Sequence, residues 1–134
     1  MTQEISCGAD IESSIRRTLD SIAVVPKEAL ALYAIDGIYP KAAVLPSALQ
    51  ELATILEVAH TKNWTVFPRG SGNLMTLGNK PERVDLVIET RGLDTPIAHA
   101  PGDLTVTVSG GSTLSDLQSV LEQEDQWLPI DPPV

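Results

Sequence analysis

The stretch of this sequence best suited to chemistry is a glycine-rich segment in the middle of the chain. It directly follows a predicted strand and reads Pro68-Arg69-Gly70-Ser71-Gly72-Asn73-Leu74-Met75-Thr76-Leu77-Gly78. Glycine accepts backbone angles that a side chain forbids, so main-chain N–H groups in such a loop can turn together toward a bound oxyanion. A pyrophosphate is the ligand that this loop would suit. A tight surface turn is the alternative that the spacing alone leaves open.

Two common nucleotide-binding loops can be tested directly against this segment. The Rossmann loop requires a third glycine and a helix that starts at once. Met75 occupies the third glycine position, and the chain continues through Pro81 into another predicted strand. The phosphate loop of nucleotide hydrolases ends in Gly-Lys-Ser or Gly-Lys-Thr, which is absent here. The sequence therefore predicts neither ordinary NAD binding nor a Walker-type site.

Charge is distributed unevenly along the chain. The net charge is −9, from 9 basic and 18 acidic residues, which disfavours nucleic-acid binding because the protein repels phosphate backbones. Only residues 62–91 are net positive, with 5 basic and 3 acidic groups, whereas residues 92–134 carry 7 acidic groups and no basic one. The glycine cluster is expected to be surrounded by the basic residues of this segment, and a small anionic ligand is expected there. These residues are Lys62, Arg69, Lys80, Arg83 and Arg91.

Other classes of site find little support in the composition. A single cysteine, Cys7, excludes an internal disulfide framework, and with only His60 and His99 beside it no metal site is predicted. The N-terminus lacks the pattern of a secretion signal, and no apolar run approaches the ~20 residues that cross a bilayer. We therefore expect a cytoplasmic protein with no membrane span.

The hydrophobic periodicity predicts strand, helix, strand, strand, strand, helix and strand, which is an α+β fold with a small mixed sheet packed by helices. A helix is predicted from Ser47 to His60, with Ser47 and Gln50 as a capping box. A second helix is predicted after Thr113, where Asp116 completes the same motif. The predicted strands are Ala42–Leu45, Trp64–Phe67, Val84–Glu89, Leu104–Ser109 and an extended Trp127–Ile130.

The first part of the chain is predicted to be organised differently from the rest. Two short helices are expected there, one over Ile11–Ile22 and one beginning at Pro26. We interpret residues 1–37 as a separate N-terminal helical appendage and residues 38–134 as the main domain.

Several segments together resemble a known family. They are Val66–Gly72, Asp85–Ile88, Gly102–Val108, Gly111–Gln118 and Gln126–Pro133. This series resembles the FAD-binding domain of the vanillyl-alcohol-oxidase and p-cresol-methylhydroxylase (PCMH) type, from about Tyr39 to the last residue. The last two segments are similar to the FAD-binding subunit of bacterial glycolate oxidase.

The resemblance implies which residues bind the cofactor. In that family the loop after the strand wraps the FAD pyrophosphate with main-chain amides, and a proline-rich stretch lies against the flavin. Here Asn73 stands where a hydroxyl is usual, and Leu74 stands where many relatives have a lysine. Members that tether FAD through this loop use a histidine, which Arg69–Gly78 lacks, so noncovalent FAD is implied. No catalytic residue is identified. The implied FAD-binding residues are Pro68, Arg69, Gly70, Ser71, Gly72, Asn73, Leu74, Asp131, Pro132 and Pro133.

The resemblance also implies a role for the protein. It would be the FAD-binding part of a glycolate (2-hydroxy-acid) oxidase or dehydrogenase complex, with a second flavin subunit and an iron–sulfur subunit as partners. Those partners could place a cytoplasmic protein at the inner face of the membrane. The family continues beyond the position of Val134, so we expect an N-terminal fragment that is inactive and binds FAD weakly by itself. The alternative is a non-catalytic interaction module, whose acidic C-terminal third docks a partner subunit.

Overall fold

A computed structural model describes residues 5–130, with side chains from Asp10 onward. Short 3-10 segments cover Lys27–Tyr33, Thr90–Gly92 and Pro101–Asp103. Within the described range no helix has both the length and the apolar character needed to cross a membrane. The helices are α1 (Ile5–Thr18), α2 (Leu49–Thr61) and α3 (Leu114–Glu122), and the strands are β1 (Ala23–Val24), β2 (Ala42–Leu45), β3 (Val66–Arg69), β4 (Leu86–Glu89), β5 (Ala98–Ala100) and β6 (Thr105–Thr107).

The main sheet has four strands in the order β1-β2-β4-β3. β4 runs parallel to both of its neighbours, and β1 pairs antiparallel with β2. All four residues of β4 are buried, and its first three, Leu86–Ile88, form the continuous apolar run expected of a strand covered on both faces. β3 is an edge strand and carries the exposed Pro68. Because β2, β4 and β3 are parallel, their carboxyl ends lie along one edge of the sheet, which we call the carboxyl edge.

Apolar side chains cover both faces of this sheet. On one face Ile11 and Ile15 of α1 and Ile55 of α2 pack with Val44 and Ile88. On the other face Ala43 and Val87 pack with residues such as Val84, Phe67 and Met75. The fold class predicted from the sequence, α+β with a small mixed sheet, is confirmed.

The N-terminal segment contributes to this same core. Ile11 and Ile15 are each 1% exposed, and β1 extends the sheet by pairing with β2. The segment therefore packs as part of the sheet, although a boundary at residues 37 and 38 stays a prediction. The first helix ends at Thr18, not Ile22, and Pro26 precedes a 3-10 segment in place of the expected helix.

The two predicted capping boxes have different outcomes. The box at α3 is confirmed: Thr113 Oγ1 accepts from the Asp116 amide at 3.1 Å, and the Asp116 carboxylate accepts from the Thr113 amide at 3.4 Å. The box at Ser47 and Gln50 is wrong, because α2 begins later and has Ala48 at its N-cap. The Ser47 amide donates instead to the Glu51 carboxylate at 2.7 Å.

Several strand limits also differ from the prediction. β3 begins two residues later than expected and runs to Arg69, because pairing with β4 continues to Glu89. β5 was not predicted, and it forms a separate hairpin with β6. Residues 127–130 form no strand. Two hydrogen bonds of 2.7 and 3.1 Å between the Gln118 side chain and the main chain of Leu128 hold that segment against α3.

Candidate functional site

Three backbone segments meet at the carboxyl edge of the sheet, where ligands bind in open α/β sheets. They are the loop after β3, the turn after β4 and the glycine pair that precedes α3. Thr90, directly after β4, connects them through its hydroxyl. That hydroxyl lies 3.0 Å from the Gly110 oxygen and 3.4 Å from the Arg69 oxygen. The loop after β3 is therefore fixed relative to the segment that begins α3.

Two glycines allow these backbones to approach each other closely. A Cβ on Gly92 would lie 2.5 Å from the Pro46 oxygen. A Cβ on Gly111 would lie 2.8 Å from the Leu93 carbonyl group and 2.9 Å from the Thr90 oxygen. Any side chain at either position would force the main chains apart. The sequence indicated these glycines only as turn residues. Their second role, which is to let main chains approach closely, arises because distant segments pack together here.

The glycine loop contains main-chain donors that have no acceptor within residues 5–130. Gly72 and Gly78 adopt φ angles of +89° and +112°, which glycine tolerates best. In the part of the chain that the structure describes, no protein group accepts a hydrogen bond from the amides of residues 71–74. Further along the loop, the Leu77 amide donates to the Leu74 oxygen at 3.1 Å. These N–H groups directly follow a parallel strand, a position from which a loop can donate main-chain hydrogen bonds to a phosphate.

Arg69 turns its side chain toward the N-terminal segment. Its Nη1 donates to the Leu32 oxygen at 2.9 Å, and its guanidinium carbon lies 4.3 Å from the centre of the Tyr33 ring. A Cβ on Gly72 would lie 2.5 Å from Arg69 Nε. The guanidinium therefore occupies space that only a glycine at position 72 leaves open. The sequence predicted Arg69 as a ligand contact and gave no signal for its contact with Tyr33.

A buried carboxylate lies next to this arginine. Glu89 is 1% exposed, accepts a hydrogen bond from the Tyr33 hydroxyl and forms an ion pair with Arg91. Burial raises the pKa of Glu89, but the Tyr33 hydroxyl and Arg91 outweigh it and hold that pKa below its usual value. Burial and the Glu89 carboxylate raise the pKa of Tyr33. At neutral pH Glu89 is thus ionised, and Tyr33 remains a donor to it.

The expected ring of five basic residues around the glycine cluster is wrong. Arg83 bonds to the Asn63 oxygen and the Thr65 hydroxyl, both at 2.9 Å, and these residues precede β3. Lys62 ends α2 beside them. Both cations lie at the amino end of the strands, because the chain must return there before each parallel strand begins. Arg69 and Arg91 lie at the carboxyl edge, and the Arg91 charge is already paired with Glu89.

The structure brings the loop residues of the predicted site together. Pro68 and Arg69 end β3, and Gly70–Leu74 form the loop. Asp131, Pro132 and Pro133 lie outside the described residues, so their predicted contact with the flavin stays a prediction. Among the side chains that the structure describes, from Asp10 to Ile130, no group of three or more His, Cys, Asp or Glu could hold a metal ion.

Known proteins share both the sequence pattern and the fold of this chain. The FAD binding domain family matches residues 40–134. A probable mitochondrial D-lactate dehydrogenase from Danio rerio is 25% identical over 93 residues, which cover 69% of this chain and 19% of that protein. This chain therefore spans about a fifth of the length of that relative.

Solved structures show the same fold at low sequence identity. The substrate-bound p-cresol methylhydroxylase superposes with a TM-score of 0.72 and 15% identity, covering 94% of this chain and 26% of that one. Wild-type BBE-like 1 from Physcomitrella patens gives a TM-score of 0.66 and 14% identity, covering 84% and 26% of the two chains. The match over residues 40–134, together with this fold, places the chain in the FAD binding domain family of PCMH-type flavoproteins, whose cofactor is FAD.

Proposed function

We propose that the main-chain amides of residues 71–74 hold the pyrophosphate of FAD. The observation that carries this proposal is that the amides of residues 71–74, directly after β3, have no acceptor among the protein groups that the structure describes. A pyrophosphate can accept several such bonds at once, and an anion strengthens each of them. Asn73 and Leu74 take part through the main chain, so the lack of a hydroxyl or lysine there does not remove the site.

The remaining predicted residues have supporting places in this proposal. Pro68, Arg69 and Gly70 form the passage from the strand to the loop, and nothing lies within 4 Å of the position a Gly70 Cβ would take. That open space lets a ligand approach the main chain. Asp131, Pro132 and Pro133 are proposed to contact the flavin ring.

The reaction we propose for the whole protein is oxidation of a 2-hydroxy acid, with glycolate as substrate. The support is the relative named D-lactate dehydrogenase, because D-lactate and glycolate share the hydroxyl and carboxylate on neighbouring carbons. When bound, FAD supplies an acceptor for two electrons. The substrate gives up the hydrogen on its Cα as a hydride and its hydroxyl proton to a base, which leaves the 2-oxo acid.

The test is anaerobic mixing of the FAD-loaded full-length protein with glycolate, D-lactate or L-lactate. We expect glycolate to remove the oxidised-flavin absorbance faster than either lactate. Faster reduction by D-lactate would contradict glycolate as the substrate while leaving 2-hydroxy-acid oxidation in place. If none of the three compounds reduces the flavin absorbance, 2-hydroxy-acid oxidation itself is contradicted.

We further propose that a second flavin subunit and an iron–sulfur subunit accept the electrons. The acidic stretch 92–134 supports a docking role, since its charged side chains that the structure describes are exposed. Purification of the tagged protein from its own host, with iron and flavin measured in the eluate, tests this. Iron in the eluate supports the complex, and its absence under mild salt contradicts it. Flavin in the eluate also separates an oxidoreductase from the alternative of a non-catalytic docking module.

A further inference from the structure

The residue before the glycine loop connects that loop to a segment outside the matched domain. Tyr33 and Leu32 belong to the 3-10 segment Lys27–Tyr33, whereas the family match begins at residue 40. The Arg69 guanidinium lies over the Tyr33 ring at 4.3 Å and donates to the Leu32 oxygen at 2.9 Å. Arg69 thus joins the end of β3 to the N-terminal segment.

The glycine loop closes directly over this guanidinium. The position of a Cβ on Gly72 lies 2.5 Å from Arg69 Nε and 2.6 Å from Nη2. The Gly72 main chain and the Arg69 guanidinium are therefore close neighbours, with no space between them for a side chain unless one of the two moves. The Arg69 Nε atom is buried and has no hydrogen-bond partner among the described residues, whereas Nη1 is bonded to the Leu32 oxygen.

Tyr33 is itself held in a fixed orientation. Its hydroxyl donates to Glu89, which is buried at the end of the central strand and is paired with Arg91. A planar cation on an aromatic ring keeps its orientation through both stacking and electrostatic attraction. The ring, the guanidinium and the loop backbone therefore lie in one contiguous stack anchored on β4.

We propose that Tyr33 and Arg69 are positioning residues for the FAD loop, so that FAD affinity depends on a tyrosine outside the matched domain. The proposal rests on the assignment of residues 71–74 to the FAD pyrophosphate. Arg69 acts through the conformation of the loop and not as a charge on the phosphate.

Two substitutions with matched controls test this in the full-length protein by FAD titration. Tyr33→Leu removes the ring, and we expect FAD to bind about fivefold to tenfold more weakly. Tyr33→Phe keeps the ring and should retain most of the affinity. Tyr39→Leu, at a tyrosine that is 65% exposed, should leave affinity unchanged. Circular dichroism on every variant is the control that checks whether the fold is retained.

Arg69→Lys separates placement from charge, because lysine keeps the positive charge but cannot stack as a plane. We expect Arg69→Lys to lose about as much affinity as Arg69→Ala. We also expect the double variant that combines Tyr33→Leu with Arg69→Lys to bind FAD no more weakly than the worse of the two single variants. Full retention of affinity by Arg69→Lys, or unchanged affinity in Tyr33→Leu, would overturn the proposal.

Hydrogen exchange of the loop amides without FAD provides an independent readout. We expect the amides of residues 71–74 to exchange faster in Tyr33→Leu and Arg69→Lys than in the unaltered protein, and at an unchanged rate in Tyr39→Leu. If the unaltered protein fails to bind FAD while this pattern appears, the assignment of the pyrophosphate fails and the positioning role stands. Unchanged exchange in both variants contradicts the positioning role.

Discussion

The two ends of β4 each carry a buried acid, but these acids have different surroundings. Asp85, just before the strand, contacts Lys41 Nζ at 2.8 Å and Arg83 Nε at 3.3 Å, and it accepts from the Thr65 amide at 2.8 Å. Glu89, at the other end, is bound by Tyr33 and Arg91 next to the glycine loop. Asp85 thus connects residues that lie just before strands of the sheet. Glu89 instead anchors Tyr33, whose ring contacts Arg69 at the start of the glycine loop.

This difference shows that a charge cluster at the end of a strand is not by itself a sign of a ligand site. Both clusters combine a buried carboxylate with exposed cations. The glycine loop, with its positive φ at Gly72, lies at the carboxyl edge, beside Glu89. We therefore expect changes near Asp85 to affect stability and changes near the glycine loop to affect FAD binding.

The largest expected effect on binding comes from Gly72→Val. Valine disfavours the φ of +89°, so the loop backbone must change, and its Cβ also displaces the Arg69 guanidinium. We expect FAD affinity in the full-length protein to fall by more than about 100-fold, equal to about 2.8 kcal/mol, with a nearly unchanged circular dichroism spectrum. Gly102→Ala is the control, because nothing lies within 4 Å of its Cβ position. Arg69→Ala should be less damaging than Gly72→Val, and the reverse order would contradict a main-chain site.

The converse variant is Asp85→Asn at the amino end. It removes the negative partner of two cations and leaves one acceptor oxygen where the carboxylate had two, and we expect the free energy of unfolding to fall by about 1–3 kcal/mol. FAD affinity should stay within about twofold of the unaltered protein. Urea unfolding and FAD titration on the same samples measure both quantities, with Asp103→Asn as an exposed control. A large loss of affinity without a loss of stability would reverse the roles assigned to the two ends.

Lowering the pH should weaken the interactions of both Asp85 and Glu89. Burial raises the pKa of each carboxyl, but the Lys41 and Thr65 contacts of Asp85 and the Tyr33 and Arg91 contacts of Glu89 lower it below the usual 3.8 and 4.5, respectively. A carboxyl whose pKa is lowered in the folded state stabilises the fold at pH values above its usual pKa. This stabilisation is lost as the pH falls from the usual pKa through the lowered one. Urea unfolding from pH 7 downward should show that loss. Glu89→Gln should show a shallower decline, and an identical decline would contradict this account.

The smallest expected effect concerns the attachment of the flavin. Arg69–Gly78 contains no histidine, so we expect no covalent bond between this loop and FAD. Flavin-loaded protein run on a denaturing gel should show no fluorescent protein band. A fluorescent band would contradict noncovalent binding.

Local sequence was sufficient to predict the parts of the molecule that depend on near neighbours. The strand Ala42–Leu45 and the Thr113 capping box are confirmed, and each depends on residues within a few positions of one another. The fold class is also confirmed, because it was inferred from the order of such locally predicted elements. The glycine loop was likewise found at the end of a strand, although its role in binding FAD stays a prediction.

What the sequence could not predict depends on contacts between distant segments. The Tyr33 and Glu89 side chains meet across 56 positions, and no periodicity indicates such a pair. The grouping of basic residues failed for the same reason, since nearness along the chain placed Arg83 with the loop while parallel topology places it at the opposite end. The hairpin strand β5 was missed because its three residues are too few to show a period.

Pro68 has a consequence for how this sheet behaves toward other chains. β3 is an edge strand, and edge strands offer free N–H and C=O groups to any strand that comes alongside. Proline has no N–H, so one potential donor on this short edge is missing next to the glycine loop. The same residue that leads into the loop thereby discourages intermolecular strand addition, and with it aggregation through this edge.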